Sequence, residues 1–201
     1  MAEPEQGMFT GDEDQQVAKA RAFATAAHGD QKYGPHPYAV HLEEVAKVAD
    51  RYWLPRYIRA AAWLHDTLED TPTTYEDLVR EFDKTIADVV RAVTDEPGKN
   101  RREHAATYPK TRSSSAAVAL KLCDRIANVE NTIKNDNDGL FSMYQKEHRE
   151  FRAALFRKSE FDAMWSVLDS LLSAESVAEA KNAGGWAGLP LSTIKHGKAN
   201  V

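Results

Sequence analysis

The sequence predicts an all-α fold, one bundle of helices around one core. Three observations carry that expectation. Apolar residues recur at three- and four-residue intervals along almost the whole chain, glycine and proline gather in the stretches between, and the length suits a single core. With 201 residues and 42% hydrophobic side chains, one domain over residues 12–182 is expected, flanked by flexible termini at 1–11 and 183–201. The tail carries Gly184-Gly185, Gly188 and Pro190 without a helical period, as a mobile extension or an arm on a neighbouring subunit would.

The elements follow in order. Val17, Ala20, Ala24 and Ala27 place a helix over 12–28, and Gly29 to Pro37 is a loop. His41, Val45, Val48 and Tyr52 share the next helical face, so His41 points inward. Pro55 suits a first helical turn and Pro72 a stop, framing a helix through residues 65–70. Thr74 with Asp77 is a capping signal for 75–82, and Ile86, Val89, Val90 and Val93 mark the following helix. Glu96 to Lys110 is a basic stretch, read either as a solvated loop or as a phosphate-binding lid with Lys99 and Arg102. Helices are then expected at 114–134, 142–157 and 160–181, the last packing Phe161, Met164, Trp165, Leu168, Leu171 and Leu172. Within 114–134, Val118, Leu122, Ile126, Val129 and Ile133 form an apolar seam, and Lys121, Asp124, Asn128 and Asn131 form a polar stripe beside it. Such a stripe is either a cleft wall or an ordinary amphipathic boundary.

The string Leu64-His65-Asp66-Thr67-Leu68-Glu69-Asp70-Thr71 concentrates the chemistry. On one helix, His65 would face Glu69 and Asp66 would face Asp70, setting an imidazole and three carboxylates on one side. Groups packed this closely repel unless a cation or a shared proton offsets them, and a divalent metal is the usual solution. His41 and Asp124 are the further candidate ligands.

The set His41, His65-Asp66, Glu69-Asp70 and Asp124 resembles the HD superfamily of metal-dependent phosphohydrolases. The fuller strings His28-Gly29-Asp30-Gln31, Pro37-Tyr38, Val93-Thr94-Asp95 and Lys121-Leu122-Cys123-Asp124-Arg125 with Asn128 are similar to its Rel/Spo-type and small alarmone hydrolase branch. The resemblance covers roughly residues 15–160 and implies an HD-domain helical bundle with a metal cleft built from three helices. It further implies that His41, His65, Asp66 and Asp124 hold one divalent ion, manganese being expected, and that Glu69 and Asp70 orient and deprotonate the attacking water. The implied reaction removes the 3′-diphosphate of guanosine 3′,5′-bis(diphosphate), ppGpp, yielding GDP and pyrophosphate. Lys32, Lys121 and Arg125 are then candidate phosphate contacts, Asn128 a ribose contact, and Tyr144 and His148 residues near the nucleotide.

The departures from the branch fall where it reads the base. Lys32-Tyr33-Gly34-Pro35-His36 replaces a longer stretch with an Arg-Lys pair, so the guanine-stacking arginine is absent; Tyr33 is a candidate stacking ring or a plain turn aromatic. Glu130 stands where many relatives place a basic residue. The alternatives are pppApp, another phosphorylated nucleotide such as NADPH, or a slow-turnover nucleotide-binding antidote partner of an alarmone synthetase. A net charge of −5 argues against a general nucleic-acid binder, and no apolar stretch approaches the ~20 residues of a membrane span. The expected partner is a small-molecule nucleotide, with a homo-oligomer left open. The single cysteine, Cys123, reads as a small core residue in a reducing cytosol, and the N-terminus has no leader pattern, so a cytoplasmic location is expected.

Overall fold

The computed structural model describes residues 11–95 and 106–173. The expected N-terminal segment through residue 10, the Lys99 and Arg102 lid, the end of the last helix and the 183–201 tail lie outside these residues. Ten helices and one small hairpin are described: α1 (Gly11–His28), β1 (Lys32–Tyr33), β2 (His36–Pro37), α2 (Ala39–Arg51), α3 (Arg56–Leu64), α4 (Thr67–Asp70), α5 (Tyr75–Glu81), α6 (Lys84–Val93), α7 (Tyr108–Arg112), α8 (Ser115–Lys134), α9 (Asp138–Leu155) and α10 (Asp162–Leu171).

α3 and α8 form the centre. α3 packs against α1, α2, α6 and α8, and it does so on several sides because Ala60, Ala61 and Ala62 have no side chain beyond Cβ to hold neighbours apart. α8 in turn contacts α2, α6, α7, α9 and α10, burying Val118, Leu122, Ile126 and Val129 on the expected seam. A fully buried Leu or Ile contributes roughly 2 kcal/mol over an exposed one, so this seam is a large part of what fixes α8. Cys123 is buried there, and burial, reinforced by the Asp124 charge, pushes its thiol above the ordinary range, as suits a core residue.

Local chemistry sets the ends of the elements. Thr74 and Asp77 form a reciprocal capping box that starts α5, as expected. Asp83 caps α6, Ser114 caps α8, and Asn137 accepts from the Leu140 N–H. That Asn137 cap starts α9 a turn earlier than the expected residue 142. α10 begins only at Asp162, because Phe161 takes a left-handed φ of 58°.

Two local features correct the sequence reading. The helix expected through His65 to Asp70 is broken: α3 ends at Leu64, His65 and Asp66 form a turn, and the single turn α4 follows. The expected loop contains the antiparallel hairpin β1–β2, with Tyr33 paired to His36 across the two residues Gly34-Pro35. A two-residue hairpin loop needs a positive φ, and Gly34 supplies it at 59°.

Candidate active site

Four side chains from three places meet at one point. His41 comes from the first turn of α2, His65 and Asp66 from the break between α3 and α4, and Asp124 from the middle of α8. The break matters, because in the turn Asp66 directs Oδ2 to 2.9 Å from its own neighbour, His65 Nε2. His41 Nε2 stands 3.2 Å from His65 Nε2 and 3.5 Å from Asp66 Oδ2. Asp124 Oδ1 lies 3.6 Å and 3.9 Å from the two imidazole nitrogens. Both histidines are buried, at 3% and 4% exposure, so these contacts are not a solvated face.

His41, His65 and Asp66 could together hold a divalent ion, with Asp124 Oδ1 standing a little wider beside them. Ligand atoms held at about 2.1 Å from one ion stand roughly 3.0–3.4 Å apart, and the observed spacings scatter around that range. The tautomer fits as well: His65 Nδ1 donates to the Ala62 carbonyl at 3.0 Å, so the neutral ring presents the Nε2 lone pair to the cluster. Without a cation, a proton takes that place. Burial works against charging His65, but the Asp66 carboxylate and its hydrogen bond, with Asp124, outweigh it and raise the imidazole to about 9. Burial likewise works to raise Asp66, and His65 and His41 hold its carboxyl well below the usual range instead. Asp124 is lowered too, with Lys121 and the same two imidazoles overcoming its burial.

Glu69 and Asp70 part company. Glu69 Oε2 accepts from the Asp95 backbone N–H at 3.2 Å and lines the cleft; burial raises its carboxyl, helped by the Asp95 and Asp66 charges and opposed by that N–H. Asp70 accepts from Gln31 Nε2 at 3.0 Å and lies close to the Tyr38 hydroxyl, and it is not among the residues that line the cleft. Because the Gln31 amide nitrogen faces Asp70, its Oε1 must accept from His28, whose Nδ1 is 2.8 Å away and therefore carries the proton.

The cleft encloses about 590 Å³. Of the candidate substrate contacts, Tyr33, Lys121, Arg125, Asn128 and Tyr144 line it. Lys32 and His148 do not. Lys32 is exposed on β1, and His148 turns its Nε2 onto Asp169 of α10 at 2.7 Å, because that face of α9 packs against α10. Arg125 lines the wall with its guanidinium already engaged. It is 9% exposed, pairs with Glu147 at 3.1 Å and lies over the Tyr144 and Phe151 rings at 4.8 and 4.5 Å. Glu130 is not at this edge at all: Arg51 holds it in a two-pronged ion pair, at 2.6 and 3.1 Å.

Sequence reasoning missed Tyr38, Asp95, Tyr108, Glu147 and Glu150 as wall residues. The motif strings Pro37-Tyr38 and Val93-Thr94-Asp95 held a signal for the first two. Nothing in the sequence marks Glu147 and Glu150, which face the cleft only because α9 crosses α8 at that point.

Known proteins resemble the chain in sequence and in fold. The HD domain family matches residues 20–140. A protein of Aquifex aeolicus named guanosine-3′,5′-bis(diphosphate) 3′-pyrophosphohydrolase is 33% identical over 164 residues, covering 78% of this chain and 23% of the relative. The chain thus spans about a quarter of that relative's length. The zebrafish (Danio rerio) protein MESH1, of the same activity name, is 30% identical over 142 residues, covering 67% of this chain and 79% of its own. Among solved structures, a metazoan ortholog of SpoT, described as hydrolysing ppGpp, superposes with a TM-score of 0.68 over 88% of this chain and 99% of that one, at 18% identity. That likeness extends the match in fold.

Proposed function

The chain belongs to the HD domain family, and on that premise we propose that it is a metal-dependent phosphohydrolase that converts ppGpp and water to GDP and pyrophosphate. The observation that carries this reading is the convergence of His41, His65, Asp66 and Asp124 beside a cleft that Glu69 also lines. The names of the Aquifex and zebrafish relatives support the substrate. A divalent ion held by those four residues, manganese on this mixed imidazole and carboxylate set, supplies Lewis acidity toward a phosphate oxygen and acidifies water.

The chain's own residues do the rest. Glu69, its carboxyl raised by burial, accepts a proton from the attacking water as its oxygen bonds to the phosphorus next to the ribose. The bond from that phosphorus to the ribose 3′-oxygen breaks, the 3′-oxygen takes up a proton, and the diphosphate leaves with the oxygen from water. Lys121, kept charged by Asp124, Asp95 and Asp66 despite its burial, is the cation placed to meet the phosphates. Asp70 contributes through Gln31 and the α4 turn. A cytoplasmic location and one folding unit over residues 12–182 belong to the same proposal.

A second reading keeps the chemistry and changes the base, to pppApp or to a nucleotide such as NADPH. A specific feature of the cleft leaves the base open: Tyr33 is already stacked on His41, and Arg125 lies over the Tyr144 and Phe151 rings, so both groups are engaged whichever base enters. The test is ion-exchange analysis of products after incubation with Mn2+ and, separately, ppGpp, pppApp and NADPH. GDP with pyrophosphate from ppGpp is the expected result. Release only from another member of the panel reassigns the base pocket, and no release from any of them refutes the proposed activity.

A further inference from the structure

Both carboxylates of the metal cluster are held by hydrogen-bond donors, and both sets of donors trace back to one short hairpin. Tyr38, the residue after β2, donates its hydroxyl to Asp66 Oδ2 at 2.6 Å. That is the same oxygen that faces His65 and His41. Asn128 Nδ2 donates to Asp124 Oδ1, the oxygen that faces the same two imidazoles. An amide can turn either end toward a partner, and what fixes this one is Tyr33 of β1, whose hydroxyl donates to Asn128 Oδ1 at 3.0 Å. With Oδ1 so engaged, Nδ2 must face Asp124.

The rings are pinned as well as the hydroxyls. Tyr38 stacks on His28 at 4.5 Å between centroids and 15° between planes, and Tyr33 stacks on His41 at 4.8 Å and 25°. The backbone sets their spacing: Tyr33 pairs with His36 across the Gly34 turn, and the Tyr38 N–H donates to the Gln31 carbonyl at 3.0 Å. Each carboxylate oxygen has two lone pairs, so one donor orients it and leaves the other pair for an ion.

We propose that Tyr33 and Tyr38 are positioning residues for the metal, with Tyr38 holding Asp66 directly and Tyr33 holding Asp124 through Asn128. This rests on the metal site proposed above and not on the identity of the substrate. Loss of such an outer partner typically weakens metal binding about 10- to 100-fold. The hairpin therefore tunes the ion from outside the ligand set.

The experiment is Mn2+ titration of the metal-free full chain without nucleotide, by calorimetry and by electron paramagnetic resonance of the bound ion. Tyr38→Phe keeps the stacked ring and removes only the hydroxyl, and a dissociation constant about 10- to 100-fold higher is expected, with a broadened resonance from a less ordered shell. Tyr33→Phe should weaken binding by about two- to tenfold, the worth of one hydrogen bond, and should add little in an Asn128→Ala background because both act on Asp124. Binding within twofold of wild type in both phenylalanine variants would overturn the proposal, even if the metal-free melting temperature fell. A wild-type chain that takes up no Mn2+ would instead overturn the metal site on which the proposal stands, which separates the two failures.

Discussion

Metal uptake should be strongly pH-dependent, and His65 is the reason. Its Nε2 is both the ligand atom and, without a cation, the seat of the proton shared with Asp66. The imidazole is raised from an ordinary 6.5 to about 9, a difference of roughly 3 kcal/mol in favour of the proton. An ion binding at pH 7 must displace that proton against a gap of two pH units, a penalty of about 100-fold, or roughly 3 kcal/mol. The apparent Mn2+ dissociation constant should therefore fall about tenfold for each pH unit between about 6.5 and 8.5 and level off above about 9. Calorimetry in buffers of different ionisation enthalpy should count close to one proton released per ion in that window. The metal-free protein should show the opposite slope. A histidine raised on folding stabilises fully below its unfolded value near 6.5 and loses that contribution as pH rises through about 9. Melting temperature without metal should thus decline over this window, while the gain on adding Mn2+ grows. A dissociation constant flat from pH 7 to 8.5, with no proton released, would refute the account of a proton held where the ion binds.

Other substitutions probe other parts of the site. Glu69→Gln should lower kcat by about 10²- to 10⁴-fold and leave Mn2+ affinity within about threefold, because the side chain accepts a proton and holds no metal; steady-state kinetics and calorimetry on one preparation check both halves. Asp66→Ala should abolish stoichiometric metal uptake, read by inductively coupled plasma analysis after gel filtration, and retention of one ion per chain would sink the ligand assignment. Arg125→Ala should destabilise by about 2–3 kcal/mol in urea unfolding, since it removes the ion pair with Glu147 and the packing on Tyr144 and Phe151; a change confined to KM would show a free phosphate contact instead. Thr74→Ala, at the α5 cap, should cost about 1 kcal/mol with no change in turnover.

What the sequence disclosed and what it hid divide by the range of the forces involved. The α8 seam, the Thr74 and Asp77 cap and the inward face of α2 are written in spacings of three and four, so they could be read without coordinates. The break at His65-Asp66 could not. Periodicity alone favours a continuous helix from Arg56 to Asp70, and it is the pull of His41 and Asp124, from two other helices, that rewards a turn placing Asp66 against His65. His148 lies on the one buried face of α9, with Phe141, Tyr144, Phe151 and Leu155. Helical spacing shows that a residue lies on a face, and which neighbour covers that face is a tertiary matter, here α10 and Asp169.

The hairpin shows where the limit of sequence reading has a functional consequence. Two residues per strand carry no detectable alternation, so Gly29 to Pro37 reads as a loop, and Tyr33 reads as a ring for a base or for a turn. The contact that decides between those uses, to Asn128, spans 95 residues of chain. Once it is made, a ring that left His41 to cover a base would break the hydroxyl's bond to Asn128 and free the amide that Tyr33 orients toward Asp124. Base recognition through Tyr33 and metal retention through Asp124 are then alternatives for the same side chain. A nucleotide that draws Tyr33 away should therefore loosen the ion by about the same two- to tenfold as Tyr33→Phe.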